Sequence, residues 1–268
     1  GSADEASIMV QQTAWLIFML PHSVITVSIA TAYFTRMSEH AAVGALDRVR
    51  ADLSSAVRGI TMIVLVAAAV LMVCAYPFAR VFTPVEPLIW SMGHVIMAYV
   101  VGLVGFSVLF IVQRTFYSMH DTKTPFFFTL IQVSVFIAGA LACIALPSSE
   151  VVFGIALVTT IAGTVQLIVA LVLLRRRLGT LDGRRIAGAF VRALVALVVP
   201  VAAGIALLVV LGGTHAKGYA LSGIFPAIIS MAIIGAVMAV LYFGGLWALR
   251  SPELRGFAEP LIRRLRRG

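Results

Sequence analysis

The 268-residue chain is 61% hydrophobic and only 12% charged, with a mean hydropathy of +1.07. Soluble domains carry about 25% charged residues, so this composition excludes an ordinary soluble protein and indicates an integral membrane protein. The net charge of +9 could suggest a nucleic-acid partner. The placement of the charges argues for a cytoplasmic membrane face instead, and we expect no nucleic-acid partner.

Apolar stretches follow one another along the chain, each long enough to cross a hydrocarbon core of roughly 30 Å as a helix. The alternation typical of strands is absent, so we predict an all-α polytopic fold with seven transmembrane helices. The predicted spans are residues 9–34, 59–79, 91–113, 125–146, 151–174, 189–212 and 221–248.

The positive charges fall on alternating connections between these spans. Of the 20 lysines and arginines, all but Arg80 and Lys217 lie on one side of the membrane. Because cytoplasmic loops carry an excess of Lys and Arg, this distribution predicts an external N-terminus and a cytoplasmic C-terminus. Residues 249–268 form a basic cytoplasmic tail in this topology.

Residues 1–8 form a short N-terminal stub in which Gly1-Ser2 resembles a cloning remnant. An external N-terminus normally needs a signal peptide or a preceding helix, and the stub is neither. Either the chain is a fragment of a longer protein or it inserts unaided. We favour the fragment.

The first cytoplasmic connection has the pattern of an amphipathic helix over residues 37–57. Its apolar residues recur at spacings of three and four: Ala42, Ala45, Leu46, Val49, Leu53 and Val57. Such a stripe is typical of a helix lying on the membrane surface. The alternative is an extension of the second span.

The first span is the most polar of the seven and contains Pro21, which removes a backbone hydrogen bond and predicts a kink. Steps of three and four place one stripe of residues on a common face: Gln12, Leu16, Met19, Ser23 and Thr26. This stripe favours a helix that faces a substrate cavity. Ordinary polar packing between helices is the alternative.

The intramembrane sequence shows no catalytic constellation, no metal-ligand spacing and no cofactor motif, so we expect a protein that is not an enzyme. A retinal Schiff base is excluded because Lys123 and Lys217, the two lysines, both fall in loops. His22 could be a protonation switch in a transport path, or a histidine hydrogen-bonded to a neighbouring helix. The second interpretation is favoured.

Residues 114–125, RTFYSMHDTKTP, are polar amid apolar sequence. Arg114 and Lys123 are typical of a cytoplasmic turn, and Asp121 can accept hydrogen bonds from backbone N–H groups. We expect Thr124 to be the N-cap of the next helix and Pro125 its first residue. Phe116 and Tyr117 suit the membrane interface.

The same residues resemble a known family. The pattern R-x-F-Y-S-x-x-D-x-K-T-P is similar to a segment of the lipid II flippases called MurJ or MviN, members of the MOP exporter superfamily. MLPHSVITVSIATAYFTRMSEHAA resembles that family's proline-bearing helix, and AYVVGLVGFSVLFIVQRTFYS resembles the helix before the motif. The resemblance extends from residue 7 to about 175.

Flippases of this family have fourteen helices, so the resemblance implies that the chain corresponds to helices 8–14. Residues 9–174 would form five of the six helices of the second lobe, and residues 189–248 the pair that forms a groove for the lipid tail. The implied substrate is lipid II or a similar polyisoprenyl-pyrophosphate lipid, moved across the bacterial cytoplasmic membrane. Membrane lipid and an absent N-terminal lobe are the other implied partners.

Two positions depart from the family pattern, which has an arginine and a glutamate where this chain has Leu16 and Met19. Groups that hold a pyrophosphate would therefore lie in the absent lobe, or this member handles its substrate differently or does not transport. A MOP exporter of polysaccharide lipids or drugs and a membrane scaffold or regulatory relative are the alternatives.

Overall fold

The computed structural model describes residues 2–148, 150–215 and 217–254, with side chains described from residue 8 onward. All regular elements in these ranges are helical. In chain order they are α1 (Ser2–Pro21), a π-helical turn (His22–Thr26), α2 (Val27–Ala42), α3 (Leu46–Val73), α4 (Ala75–Phe82), α5 (Glu86–Val100), α6 (Leu103–Ser118), α7 (Lys123–Cys143), α8 (Val151–Leu178), α9 (Gly183–Val210), a 3₁₀ turn (Tyr219–Leu221) and α10 (Ile224–Ala248).

The predicted all-α membrane fold is confirmed. Within the described ranges, six helical stretches are long and apolar enough to cross a membrane, and α5 with α6 makes a seventh span when the pair is counted as one. α1 already begins at Ser2, so the predicted stub is helical over most of its length. The predicted tail lies outside the described residues from residue 255 onward.

The connection between the first two spans differs from the prediction. Residues 37–57 do not form one surface helix, because α2 ends at Ala42 and α3 begins at Leu46. Gly44 turns the chain between them with a φ of +70°, a conformation that costs glycine little. The apolar stripe continues on α3, where Leu53 is buried, so the extension of the second span is the correct alternative.

α3 lies at the centre of the bundle and is the most buried spanning helix. It packs against α2 and α6 on one side and against α9 on the other. The largest apolar core joins the first five spans, whereas two smaller cores join α3 to α9 and α10. The Tyr242 hydroxyl on α10 donates a hydrogen bond of 2.8 Å to the Met62 carbonyl oxygen on α3. The last two spans are thus attached to the other five through α3.

The third span is broken between α5 and α6, which meet at an angle of 42°. At the break the Gly102 N–H donates to Tyr99, one residue short of its α-helical acceptor Ala98. The Ala98 carbonyl accepts instead from the Thr160 hydroxyl on α8 at 2.9 Å. Because a freed carbonyl is costly in a membrane, this side-chain donor stabilises the bend.

α7 packs chiefly on α8, and most of its surface is uncovered. The two helices approach closely at Gly139, where an added Cβ would lie 2.5 Å from a methyl carbon of Val158. This arrangement holds α7 beside α8 and leaves a cavity between α7 and α1.

Candidate functional site

The first span presents one uncovered side with mixed polar and apolar residues. Gln12, Leu16 and Ser23 are exposed there, and Met19 is half-buried. These four residues of the predicted stripe therefore share one face, which we call the polar face. Leu16 leaves 64% of its surface uncovered.

Thr26 does not lie on the polar face, contrary to the prediction. Its side chain is fully buried, and its hydroxyl oxygen has no hydrogen-bond partner among the described residues. The reason is the π-helical turn that follows Pro21, in which the Val27 N–H donates to the His22 carbonyl five residues back. The wider turn rotates Thr26 inward and places Ser28 and Thr31 on the exposed side.

The hydroxyls of the polar face are satisfied by their own helix. Ser23 donates to the Leu20 carbonyl at 3.1 Å, and Ser28 donates to the Val24 carbonyl at 2.7 Å. Their oxygen atoms keep acceptor capacity for water or a polar ligand. The face can therefore border a hydrated space without leaving unsatisfied donors.

His22 lies on the opposite side of the same helix and is buried. Its Nδ1 is 3.4 Å from the Ser107 hydroxyl on α6, and its ring packs against Phe106 and Phe110. This is the arrangement expected of a histidine bonded to a neighbouring helix.

A cavity of about 500 Å³ opens beside Gln12, between α1, α5, α7 and α8. We call it the glutamine cavity. It is lined by Ile8, Gln11, Gln12, Trp15, Tyr99, Gln132, Phe136 and Thr159. A smaller space of about 150 Å³ continues inward from it, sharing Trp15, Tyr99, Gln132 and Thr159 and reaching Gln166. The Gln166 amide donates there to the Thr129 hydroxyl at 3.1 Å.

The described lining of the glutamine cavity combines apolar side chains with polar, uncharged ones. Amide, hydroxyl and phenol groups can hydrogen-bond to water, sugar or peptide groups. They cannot neutralise a pyrophosphate as Arg or Lys would. The spacing of polar residues in the first span indicated Gln12, but it could not indicate Gln132 and Thr159, because residues on separate spans meet only through the packing of α7 on α8.

The family motif forms a compact turn between α6 and α7. Asp121 accepts hydrogen bonds from the Thr124 N–H at 3.0 Å and from the Thr124 hydroxyl at 2.8 Å. Burial alone raises the pKa of the Asp121 carboxyl, but these bonds, the charge of Arg177 and the Lys123 N–H together outweigh burial and hold the pKa below its usual value. Lys123 is exposed, and the Arg114 guanidinium lies over the Phe110 ring at 5.0 Å.

Three details of the turn differ from the prediction. α7 begins at Lys123, so Thr124 is not the N-cap and Pro125 is the third helical residue. Asp121 caps the helix instead, because it accepts hydrogen bonds from Thr124 in the first turn. Pro125 also lies in that first turn, where a backbone N–H has no helical acceptor, so the N–H that proline lacks is not needed. Phe116 is buried against Phe128 and does not lie at the interface, whereas Tyr117 is exposed.

Two buried carboxylates were missed by sequence reasoning. Asp52 on α3 is bound by Arg36 at 2.7 Å and by the His40 Nδ1 at 2.8 Å. The sequence does hint at the burial of Asp52, because this residue lies next to Leu53 on α3, and Leu53 belongs to the apolar stripe that faces the bundle. Glu253, beyond α10, is bound by Arg58 and Arg192, and no local pattern links residues so far apart.

Comparisons with known proteins agree on one family. The family model described as lipid II flippase MurJ matches residues 2–241. A curated relative from Rhizobium meliloti (strain 1021), described as a probable lipid II flippase MurJ, is 28% identical over 172 residues, which cover 62% of this chain and 31% of the relative.

A solved structure of lipid II flippase MurJ in an inward closed conformation has a similar fold. The TM-score is 0.64 at 18% sequence identity, over 90% of this chain and 48% of the solved chain. The chain thus spans less than half the length of either known protein. Since the family model covers most of its residues, the chain belongs to the lipid II flippase MurJ family.

Proposed function

We propose that the chain is the second half of a transporter that moves lipid II across the bacterial cytoplasmic membrane by alternating access. Family membership supports the substrate, and the partial coverage of both known proteins supports a half. The first five spans would form most of one lobe. α9 and α10 would hold the lipid tail, and an N-terminal lobe would complete the transport path.

The observation that carries this proposal is the uncovered polar face beside the glutamine cavity. Exposed Gln12 and Ser23 fit a water-lined space better than acyl chains, because polar groups are costly in hydrocarbon. We infer that this side of the first span faces the opposing lobe. Met19, half-buried, would lie at its margin.

The pyrophosphate would be held by the other lobe. The polar face carries Leu16 where the resemblance to the family implies arginine, and the described side chains that line the glutamine cavity are uncharged. Phosphate groups are bound in proteins by Arg, Lys or convergent N–H groups. In our proposal this half contributes shape and neutral hydrogen bonds to the path, and the charged contacts come from elsewhere.

We expect replacement of the polar face to impair transport in a bacterial strain depleted of its own lipid II flippase. The test variant is Gln12→Leu with Ser23→Ala, made in a complete two-lobe transporter that carries this half. Loss of two hydrogen-bonding groups, at about 0.7 kcal/mol each, predicts roughly a tenfold slower transport and poor rescue of growth.

The matched control changes the same residue types elsewhere, as Gln113→Leu with Ser134→Ala on α6 and α7. The control should rescue growth as well as the wild-type sequence does, with equal amounts of protein in the membrane. If the polar-face variant rescued growth as well as the wild-type sequence does, even at a low level of expression, that result would contradict the assigned path. No rescue by the wild-type transporter would contradict the proposed substrate.

A further inference from the structure

A second large cavity lies at the turn between α8 and α9, away from the polar face. Its volume is about 730 Å³, and we call it the arginine cavity. It is lined by Leu171, Val172, Arg175, Thr180, Leu181, Asp182, Gly183, Arg184 and Arg185. The proposed transport path uses none of these residues.

The chain reversal brings the arginines together. α8 ends at Leu178, and the turn contains two left-handed residues, Gly179 with a φ of +79° and Asp182 with a φ of +51°. Glycine and aspartate are among the residues that adopt this conformation most readily. Arg175 from the last turn of α8 thereby faces the same space as Arg184 from the first turn of α9.

The arginine cavity carries an excess of positive charge. Among the described residues no carboxylate lies within ion-pair distance of Arg175, Arg184 or Arg185. A neighbouring pocket shares Arg184 and Arg185, and in it Glu253 is bound by Arg58 and Arg192. Asp182 is the acidic residue in the lining, so the three guanidinium groups outnumber it.

The wall of the arginine cavity is apolar on its membrane side. Leu171 and Val172 belong to the spanning part of α8, and Val172 is exposed. Leu181 closes the space from the turn. The lining therefore changes from hydrocarbon side chains to guanidinium groups within one cavity, as does a phospholipid from its acyl chains to its phosphate.

We propose that the arginine cavity binds the headgroup of an anionic membrane phospholipid, with the phosphate between Arg175, Arg184 and Arg185. The acyl chains would lie along Leu171 and Val172. Basic pockets between spanning helices on the cytoplasmic side are suited to such headgroups. The charge distribution of the loops places this turn on that side. The bound lipid would tie the last two spans to the lobe at the inner membrane surface.

The first experiment counts bound lipids by native mass spectrometry of the 268-residue chain in detergent, titrated with phosphatidylglycerol. Arg184→Gln with Arg185→Gln should lower the apparent affinity for phosphatidylglycerol about tenfold or more. The variant removes two basic residues near the membrane surface, and each of them contributes to the attraction of an anionic lipid. Arg48→Gln with Arg176→Gln removes the same charge from exposed positions outside the cavity and should leave the affinity within about twofold.

A gain-of-affinity variant separates binding from folding. Asp182→Asn removes the acidic group and keeps a side chain that tolerates the left-handed conformation. It should tighten phosphatidylglycerol binding about threefold or more, an increase that a misfolded protein would not give.

Two further ligands identify the source of the phosphate. Phosphatidylcholine, which has no net charge, and inorganic phosphate, which has no acyl chains, should both bind at least about tenfold more weakly than phosphatidylglycerol. Equal phosphatidylglycerol binding by the cavity variant, the control pair and the wild type would overturn the proposal. Inorganic phosphate that binds as tightly as the lipid, with the same dependence on Arg184 and Arg185, would also overturn it.

Discussion

Glu253 joins three segments that are distant in the sequence. Its Oε1 lies 3.2 Å from Arg58 on α3 and 3.1 Å from Arg192 on α9, and its Oε2 accepts from the Ser251 hydroxyl at 2.7 Å. The carboxylate is buried. A buried carboxylate with two cationic partners holds the adjoining ends of α3 and α9 at a fixed distance.

The pKa of Glu253 reflects these contacts. Burial alone raises the pKa of the carboxyl, but the hydrogen bond from Ser251, the backbone and the charge of Arg192 outweigh burial and hold it below its ordinary value of 4.5. A carboxyl whose pKa is lower in the folded state stabilises the fold above its unfolded pKa. That contribution is lost as the pH falls through the folded pKa.

Glu253→Gln should therefore destabilise the protein by about 1–3 kcal/mol at pH 7, because it removes the charge that both arginines share. The measurement is the midpoint of thermal unfolding in detergent at pH 7 and at a series of values below 4.5. The difference between wild type and variant should shrink as the pH falls.

Asp47→Asn is the matched control, since Asp47 is exposed and pairs with Arg50 on the surface. Its effect should stay below about 0.5 kcal/mol. A Glu253→Gln difference that persists unchanged at the lowest pH, or that is absent at pH 7, would contradict the assigned role.

At the residue scale, the sequence predicted the candidate site only in part. The three- and four-residue spacing placed Gln12, Leu16 and Met19 on one face because α1 is regular up to Pro21. It failed for Thr26 because the π turn changes the number of residues in one turn. The hydrogen bonds around Pro21 determine that geometry, and residue spacing alone does not predict them.

At the scale of elements, hydropathy predicted the spans well and their ends less well. α8 runs to Leu178, beyond the predicted end of its span, because its arginines extend the helix past the apolar stretch. The bend between α5 and α6 was missed. It depends on Thr160 of α8, a residue outside the broken span.

The orientation of the elements follows from the charged loops and stays a prediction. Single cysteines should be introduced at Lys217 and, separately, at Arg48, both exposed, after Cys74 and Cys143 are replaced by alanine. A membrane-impermeant maleimide added to intact cells should label position 217 and spare position 48 until the membrane is permeabilised. The reverse pattern would contradict an external N-terminus and a cytoplasmic C-terminus.

At the scale of the molecule, the first five spans share one large apolar core, and α9 and α10 are attached to it through α3. α9 and α10 contact α3 through Glu253 at one end and through the Tyr242 hydroxyl within the span. On α4, the Arg80 Nε also donates to the Leu221 carbonyl at 2.8 Å, before α10 begins. These three contacts along α3 and α4 hold α9 and α10 against the first five spans.

The composition and the motif at 114–125 predicted the fold and the family, because apolar length and a compact turn are local features. The path could not be predicted in the same way. The glutamine cavity combines residues from α1, α5, α7 and α8, and the polar face has meaning only beside an opposing lobe.

The most direct test of the proposed function is transport of fluorescent lipid II in liposomes that contain a complete two-lobe transporter carrying this half. We expect labelled headgroups to reach the opposite leaflet faster in these liposomes than in protein-free liposomes. Gln12→Leu with Ser23→Ala should slow that transport roughly tenfold. Transport by the wild-type protein at the protein-free rate would contradict the proposed function.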